Sequence, residues 1–408
     1  MISSPVWLVL KILQNKGFEA YLVGGCVRDL LLKRIPKDFD VVTTAKLEQI
    51  QKEFRRSQIV GRRFPICRVY IQDSAVEVSS FETTGKNVKE NETDDFSQMR
   101  ASCDKKDFLR WKNCMKRDFT INGLFYDPFV NTIYDYAGGI RDLKMCKVQT
   151  IIPAQVAFKE DCARILRGLR IAARLGLQFS KETAIAIRDL STSIMNLDKG
   201  RLMMELNLML AYGAAESSFR LLHRFKLLEI VLPIHGAYLA TQDRSAQSSI
   251  MLMKLFSSMD KLLACDRPTD CSLWVGLLAF HLALLKHPQD ALVVWTLSSI
   301  LYYGNWIKAV EVARENAQMR VQFIPEISET FGSKSNESLL EEVSDLASLV
   351  KSSIGALTST NTLIETMARY PLFPCSGLVW TGEGQLCRDS SSSLPNRHPL
   401  KMSMGTCI

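Results

Sequence analysis

The sequence predicts a chain in two parts, a mixed α/β or α+β domain over residues 1–150 and a helical remainder. Two observations carry this reading. In the first 150 residues, short β-like runs (AYLV, FDVVT, ICRVYI, AVEVSSF, TIYDY) are punctuated by turn signals at Gly24-Gly25 and Gly138-Gly139. From Phe158 onward the apolar period becomes helical, in FKEDCARILRGLRIAARLG, KETAIAIRDLSTSI, RLMMELNLMLAYG and FRLLHRFKLLEIVLP, and no strand pattern is read beyond about residue 155. The 408 residues suffice for two or three domains, and 47% hydrophobic with 23% charged residues is an ordinary globular balance.

In chain order, MISSPVWLVLKILQNKGFEA reads as a helix with Val6, Leu10, Ile12 and Leu13 on one side, running into the first strand. It has neither the basic start and cleavage site of a signal peptide nor the Arg/Ser-rich composition of a transit peptide, so no targeting segment is expected. Strand AYLV, Gly24-Gly25 and a helix beginning near Val27 follow, then an extended run holding Asp38 and Asp40. Polar, aperiodic NVKENETDDFSQMRASCDKKD (87–107) predicts a loop. Further on, LWVGLLAFHLALLKHPQDALVVWTLSSILYY is cut by Lys286, His287, Pro288 and Asp290, so neither half reaches a membrane span and a soluble protein is expected. The Ser/Gly/Pro-rich tail from about residue 374 is expected to be disordered. Eleven cysteines without a C-x-x-C pair predict reduced thiols in an intracellular compartment, not a disulfide framework or a zinc site. The net charge of +8 favours an anionic partner and by itself does not separate RNA from a membrane surface.

The chemistry begins in YLVGGCVRDLLLKRIPKDFDVVTT (21–44). Aspartate is a poor strand former, yet Asp38 and Asp40 sit one residue apart in an extended apolar run. Residues i and i+2 of a strand share a face, so the two are expected side by side. Clustered carboxylates repel unless a cation lies between them, and hard divalent ions (Mg²⁺, with Mn²⁺ as the alternative) prefer such oxygen ligands. Two such ions can activate an attacking hydroxyl and stabilise the leaving oxygen of an in-line phosphoryl displacement. The plainer alternative is a polar turn whose aspartates cap a helix. The residues upstream favour the metal reading. Gly24-Gly25 leave bare N–H groups at a helix start, an anion site, and Arg28 in that first turn opposes the helix dipole unless an anion is present.

GGCVRDLLLKRIPKDFD resembles the head motif of the tRNA nucleotidyltransferase/poly(A) polymerase family, within the polymerase-β-like nucleotidyltransferases. KRDFTINGLFYD (116–127), DYAGGIRDL (135–143) and FKEDCARILRGLRIAARLG (158–176) are similar to later motifs of that family, in its order. The resemblance implies an α+β fold: a nucleotidyltransferase head with a small mixed sheet (1–150), then an all-helical neck (151–240) and body (241–373), before the tail (374–408). The head would bind triphosphate and metal, and the neck and body would read the base and hold RNA. Catalysis and metal binding then fall to Asp38 and Asp40, nucleotide binding to Gly24, Gly25, Arg28 and Arg117, and the ordering of its own segment to Asp118.

Glu77, between two valines in VEVSSF, faces away from them and is a candidate third catalytic carboxylate; an exposed edge-strand glutamate is the alternative. Gly138-Gly139 read as a turn, with Asp135 and Asp142 structural. Asp161 and Arg164, at i and i+3, are expected on one helix face, with Arg167, Arg170 and Arg174 continuing the stripe. Taken alone this could be an ion pair on a solvated face. Within the family pattern, the carboxylate would accept from an exocyclic amine while the guanidinium donates to ring acceptors, an edge shared by adenine and cytosine. Arg167 and Arg170 would reach the triphosphate or shape the pocket.

IVGRRFPICRVY (59–70) is similar to the bacterial type of poly(A) polymerase, in which a G-R-R-F segment precedes an apolar strand. Pro65 and Arg68 depart from the usual wording. Arg62 and Arg63 are candidates for holding RNA phosphates. The expected activity is template-independent addition of AMP from ATP to an RNA 3′ end, on tRNA or other RNA. A CCA-adding enzyme that also uses CTP, or a catalytically silent RNA-binding protein, is the alternative. No membrane partner is expected. The compartment would be the cytoplasm, or a plastid or mitochondrion if a longer form carries a transit peptide.

Overall fold

Helix α1 (Ser4–Asn15) forms where its apolar period predicts, with Pro5 in the first turn and Val6, Val9, Leu10 and Leu13 buried. The computed structural model describes residues 2–61, 64–82, 104–241, 250–263, 268–316, 323, 326–328 and 334–372, which fall into two compact units, Met1–His281 and Leu282–Ile408.

The first unit holds one mixed sheet. Its strands are β1 (Ala20–Val23), β2 (Asp40–Thr43), β3 (Ser57–Val60), β4 (Ile66–Ile71), β5 (Ser74–Ser80), β6 (Phe125–Asp127) and β7 (Thr132–Tyr134), in the order β3-β4-β5-β2-β1-β6-β7. All neighbours are antiparallel except β2 and β5, which run parallel with Asp40 level with Glu77. The five β-like runs of the sequence all become strands, and SQIV and FYD add β3 and β6. Tyr21, Val23, Val42, Cys114 and Phe125 form one core cluster of this sheet. Helices α2 (Gly25–Leu31), α3 (Leu47–Glu53), α4 (Lys105–Met115) and α5 (Gly139–Lys144) accompany it. α2 starts at Gly25, earlier than expected. The loop expected at 87–107 lies outside the described residues up to 103, and its end instead opens α4.

Beyond the sheet the first unit is helical, as predicted: α6 (Ala154–Glu160), α7 (Ala163–Leu175), α8 (Lys181–Asp189), α9 (Lys199–Leu210), α10 (Ala215–Arg224), α11 (Leu228–Val231), α12 (Pro233–Thr241), α13 (Met251–Leu262) and the start of α14 (Cys271–Lys286). One expectation fails at a decisive place. FKEDCARILRGLRIAARLG is two helices, not one, because Asp161 is extended (φ −149°, ψ 99°) between them. Its carboxylate accepts from the Ala163 N–H at 3.2 Å, a local bond that competes with helix continuation. Two-residue strands at Lys147–Val148 and Gln178–Phe179 pair in parallel, so strand structure does not stop at residue 155.

In the second unit, α15 (Ala291–Tyr303) is capped by Asp290, whose carboxylate accepts from the Leu292 N–H at 2.7 Å. Helices α16 (Trp306–Asn316), α17 (Asn336–Thr358) and α18 (Thr360–Met367) follow, and Gln289–Asp290 pairs with Ile327–Ser328. Among the described residues no helix is long and apolar enough to cross a membrane. Arg62, Arg63 and the predicted tail lie outside the described residues.

Candidate active site

The strand-to-helix turn at Gly24 sets the floor of a cavity of about 900 Å³ in the first unit. Gly24 has φ 80°, and a Cβ there would stand 3.0 Å from Arg117 Nη1 and 3.8 Å from Asp40 Oδ2. A side chain would therefore meet both the cation and the carboxylate behind it.

Asp40 opens β2, opposite Val23 on one neighbour and Glu77 on the other. Asp38 precedes the strand in a bend, so the expected i, i+2 alternation on a strand does not apply, because ladder pairing begins only at Asp40. Both aspartates nevertheless face the cavity. Burial pushes the Asp40 carboxyl up to about 6; Arg117 pulls it down, and Glu77 and Asp38 push it further up. The oxygen donors gathered here suit Mg²⁺ or Mn²⁺. Glu77 stands beside Asp40 but is not in the cavity wall, and it is paired with Arg68 at 2.8 Å. Among the described residues no group of three His, Cys, Asp or Glu side chains is placed to hold a metal, and Asp38 and Asp40 are the two carboxylates that share this part of the cavity lining.

Arg28 lines the cavity. It is buried in the seven-residue α2, and its guanidinium is taken by Asp29 Oδ1 (2.7 and 2.9 Å) and Asn122 Oδ1 (2.8 Å). The anion that Arg28 requires is a carboxylate next to it in the chain. Arg117 lies beside the Phe125 ring at 5.8 Å and donates to Asn113 at 3.3 Å. Burial lowers its pKa, opposed by Asp40 and Asp118. Asp118 orders its segment by accepting from the Phe119 N–H (2.8 Å), Asn122 (3.0 Å) and Arg167 (3.2 Å). Burial would raise its pKa, yet Arg167 and these hydrogen bonds hold it below the ordinary carboxylate value. Asp135 accepts from the Gly139 and Ile140 N–H groups, and Asp142 from the Thr120 hydroxyl, as structural residues do.

On the helical side, Asp161, Arg164, Arg167, Arg170 and Arg174 all line the cavity, but not as one stripe. Asp161 and Arg164 belong to different elements: the Arg164 backbone N–H donates to the Asp161 carbonyl at 3.0 Å, but their side chains have other partners. Arg164 donates to Glu160 (3.1 Å) and the Ala157 carbonyl (3.3 Å), while Asp161 accepts from Arg201 Nη2 at 3.1 Å on each oxygen. Arg170 donates to Glu205 at 2.9 Å, and Arg167 lies 3.7 Å from the same carboxylate. Sequence reasoning missed Arg201, which lines the cavity, and Glu205, which holds two of its arginines from behind. The signal was present: Glu205 interrupts the buried stripe Leu202, Leu206 and Met209 of α9, where an apolar residue is expected. Asn122, Lys37 and Tyr212 also line the cavity, and Lys37 donates to the Tyr212 hydroxyl at 2.9 Å. The whole is a carboxylate pair with a buried guanidinium behind it, facing a wall of arginines partly neutralised by Asp118 and Glu205.

Residues 20–149 match the "Poly A polymerase head domain", and residues 176–239 match the "Probable RNA and SrmB- binding site of polymerase A". The chain is 35% identical over 256 residues to Poly(A) polymerase I of Haemophilus influenzae, covering 62% of this chain and 57% of that protein. It is 28% identical over 282 residues to the CCA-adding enzyme of Staphylococcus epidermidis, covering 69% of this chain and 62% of that protein. The chain thus spans little more than half the length of the curated relatives it matches. In fold it is similar to the crystal structure of the Bacillus stearothermophilus CCA-adding enzyme in complex with CTP, with a TM-score of 0.52, 22% identity and coverage of 89% of this chain and 88% of that one. The seven-stranded mixed sheet, the helices after it and these two matches agree: residues 20–149 are a poly(A) polymerase head domain, residues 176–239 match the RNA-binding segment that accompanies it, and the chain is similar to the tRNA nucleotidyltransferase/poly(A) polymerase family.

Proposed function

We propose that this protein is a template-independent RNA adenylyltransferase that adds AMP from ATP to an RNA 3′ end. The observation that carries the reading is the convergence of Asp38, Asp40 and Arg117 on one cavity whose other wall presents Asp161, Arg164, Arg167 and Arg170. The likeness to Poly(A) polymerase I supports ATP as the donor. In the reaction the RNA 3′ oxygen attacks the α-phosphorus in line, the bond to the β-phosphate bridge breaks, and pyrophosphate leaves.

Asp38 and Asp40 would hold Mg²⁺ or Mn²⁺. The fit rests on Asp40, whose carboxyl is pushed up by burial and by two like-charged neighbours, a cost that a cation between the carboxylates removes. When bound, the ion neutralises phosphate charge and acidifies the attacking hydroxyl. The chain's own groups do the rest. Gly24 keeps the floor clear, and Arg117 sets a fixed positive charge behind the aspartates, where negative charge builds on the phosphates. Gly25 is the first residue of α2, where the backbone turns past the floor, and Arg28 stiffens that turn through Asp29 and Asn122. Arg167 and Arg170, held by Asp118 and Glu205, offer guanidinium groups at the triphosphate end. Asp161 accepts from the adenine amine, and Arg164, with only Nη1 engaged among the described residues, donates from the rest of its fork to the ring. Glu77, neutralised by Arg68, tunes Asp40 from the adjacent strand. Arg62 and Arg63 hold RNA phosphates. Six described cysteines are free thiols, in keeping with a reducing compartment.

CCA addition is the second reading, favoured by the likeness to the Staphylococcus epidermidis enzyme and by a base edge that cytosine shares. One experiment separates the two. Purified protein is given an unstructured RNA and a tRNA lacking its 3′ CCA, with Mg²⁺ and each NTP in turn. Repeated AMP addition on both RNAs, with CTP poorly used, is expected. Two C residues and one A, added only to tRNA, would establish the second reading; no incorporation would leave an RNA-binding protein.

A further inference from the structure

The helix break at residue 161 leaves the Asp161 side chain on extended backbone between two helices, where, among the described residues, its carboxylate meets the flanking helices only at the Ala163 N–H that starts α7. Its carboxylate has about four acceptor positions. Among the described residues, Oδ1 accepts from the Ala163 N–H (3.2 Å) and from Arg201 Nη2 (3.1 Å), which fills it, while Oδ2 accepts from Arg201 Nη2 alone (3.1 Å). One acceptor position on Oδ2 remains. Arg201 comes from the first turn of a separate helix, whose start is fixed by the Arg201 backbone N–H donating to the capping carboxylate of Asp198 at 3.2 Å. Its side chain is 43% exposed at the cavity, so it is not part of the core.

We propose that Arg201 is a specificity-determining positioning residue: it clamps the Asp161 carboxylate so that a single Oδ2 lone pair points at the nucleobase. This rests on the reading of Asp161 as a base reader. A clamped carboxylate with one acceptor position left accepts one amine hydrogen. It rewards the exocyclic amine of adenine or cytosine and leaves the carbonyl of guanine or uracil facing negative charge. An unclamped carboxylate can swing away, and the penalty against a carbonyl edge falls with it. Arg201 therefore acts on choice of base through Asp161 and does not touch the reacting atoms. Lysine at this position would keep the charge and lose the planar geometry.

The test is equilibrium binding of non-hydrolysable ATP and GTP analogues to the full chain with Mg²⁺, read by calorimetry, for wild type, Arg201→Ala, Arg201→Lys, Asp161→Ala and the Asp161/Arg201 double alanine variant. Binding does not depend on turnover, so the outcome stands whether or not RNA is extended. Arg201→Ala is expected to lower the ATP-over-GTP affinity ratio about tenfold, Arg201→Lys by less, and the double variant no further than Asp161→Ala alone. Circular dichroism of the exposed-site variants should match wild type. If Arg201→Ala keeps the wild-type ratio while Asp161→Ala loses it, or if the two losses simply add, the clamp is overturned and base reading by Asp161 survives. If Asp161→Ala itself keeps the ratio, both fall.

Discussion

Arg167 of α7 donates to Asp118 at 3.2 Å, tying the helix that supplies the arginine wall to the turn that carries Arg117. Asp118 also accepts from the Phe119 N–H and from Asn122, which in turn receives Arg28. One buried carboxylate thus fixes the floor and the wall of the cavity together.

Replacing it should loosen both. Asp118→Ala is expected to lower stability by about 3 kcal/mol, since it strands a guanidinium and two donors at a buried position. Asp118→Asn, which retains an acceptor oxygen, should fall between. Urea denaturation followed by circular dichroism checks this; a loss within 0.5 kcal/mol, roughly the range of an ordinary surface substitution, would refute it.

Asp38→Ala and Asp40→Ala should each reduce nucleotide addition by about a thousandfold or more without unfolding the chain, through lost stabilisation of transition-state charge. Glu77→Ala should cost far less, about tenfold, because Glu77 is neutralised by Arg68 and acts on Asp40 only by its charge. Primer extension with saturating ATP measures both. Equal losses at all three positions would make Glu77 a ligand.

Arg164→Ala should spread nucleotide choice, by about a hundredfold in the relative use of ATP and GTP, since it removes the donor to the ring. Competition among the four NTPs in one extension reaction gives the ratio. Uniform slowing of every nucleotide would mark Arg164 as structural.

Acid should weaken the first unit through His235. This imidazole is fully buried, 3.2 Å from the Leu278 carbonyl and stacked on His281 at 5.6 Å. Burial pushes its pKa down to about 3, His281 pushes the same way, and the carbonyl opposes them. The unfolded chain takes up a proton near pH 6.5 and the folded one does not. Stability from this group is therefore complete above pH 6.5 and declines by about 1.4 kcal/mol per pH unit below it. Thermal unfolding between pH 7 and pH 5 should show a steeper fall in Tm for wild type than for His235→Gln.

Much of this was legible in the chain. AYLV, DVVT and AVEVSS declare strands through their β-branched residues, and the aspartates announce themselves by being poor strand formers in such company. The break at Asp161 was not legible, because FKEDCARIL contains neither proline nor glycine and its apolar spacing continues smoothly through the gap. What stops the helix is a carboxylate drawn to a neighbouring N–H and to Arg201, forty residues on. The partner of Arg28 was hidden for a similar reason. Arg28 lines the cavity and also holds Asp29, and local spacing does not say which carboxylate turns toward which guanidinium. Contacts such as Glu205 with Arg170 depend on how helices pack, which periodicity does not encode.

The parallel register of β2 and β5 makes backbone length a determinant of chemistry. Glu77 is level with Asp40 only because Gln72 and Asp73 span the step from β4 to β5. Deleting one of these two residues would slide β5 by one position, bring a valine level with Asp40, and turn Glu77 toward the face now filled by Val76 and Val78. No residue of the cavity would have changed, yet the charge environment of its carboxylates would be lost. Insertions and deletions in this hairpin should therefore be far less tolerated than substitutions of the same two residues, the reverse of what an exposed turn ordinarily allows.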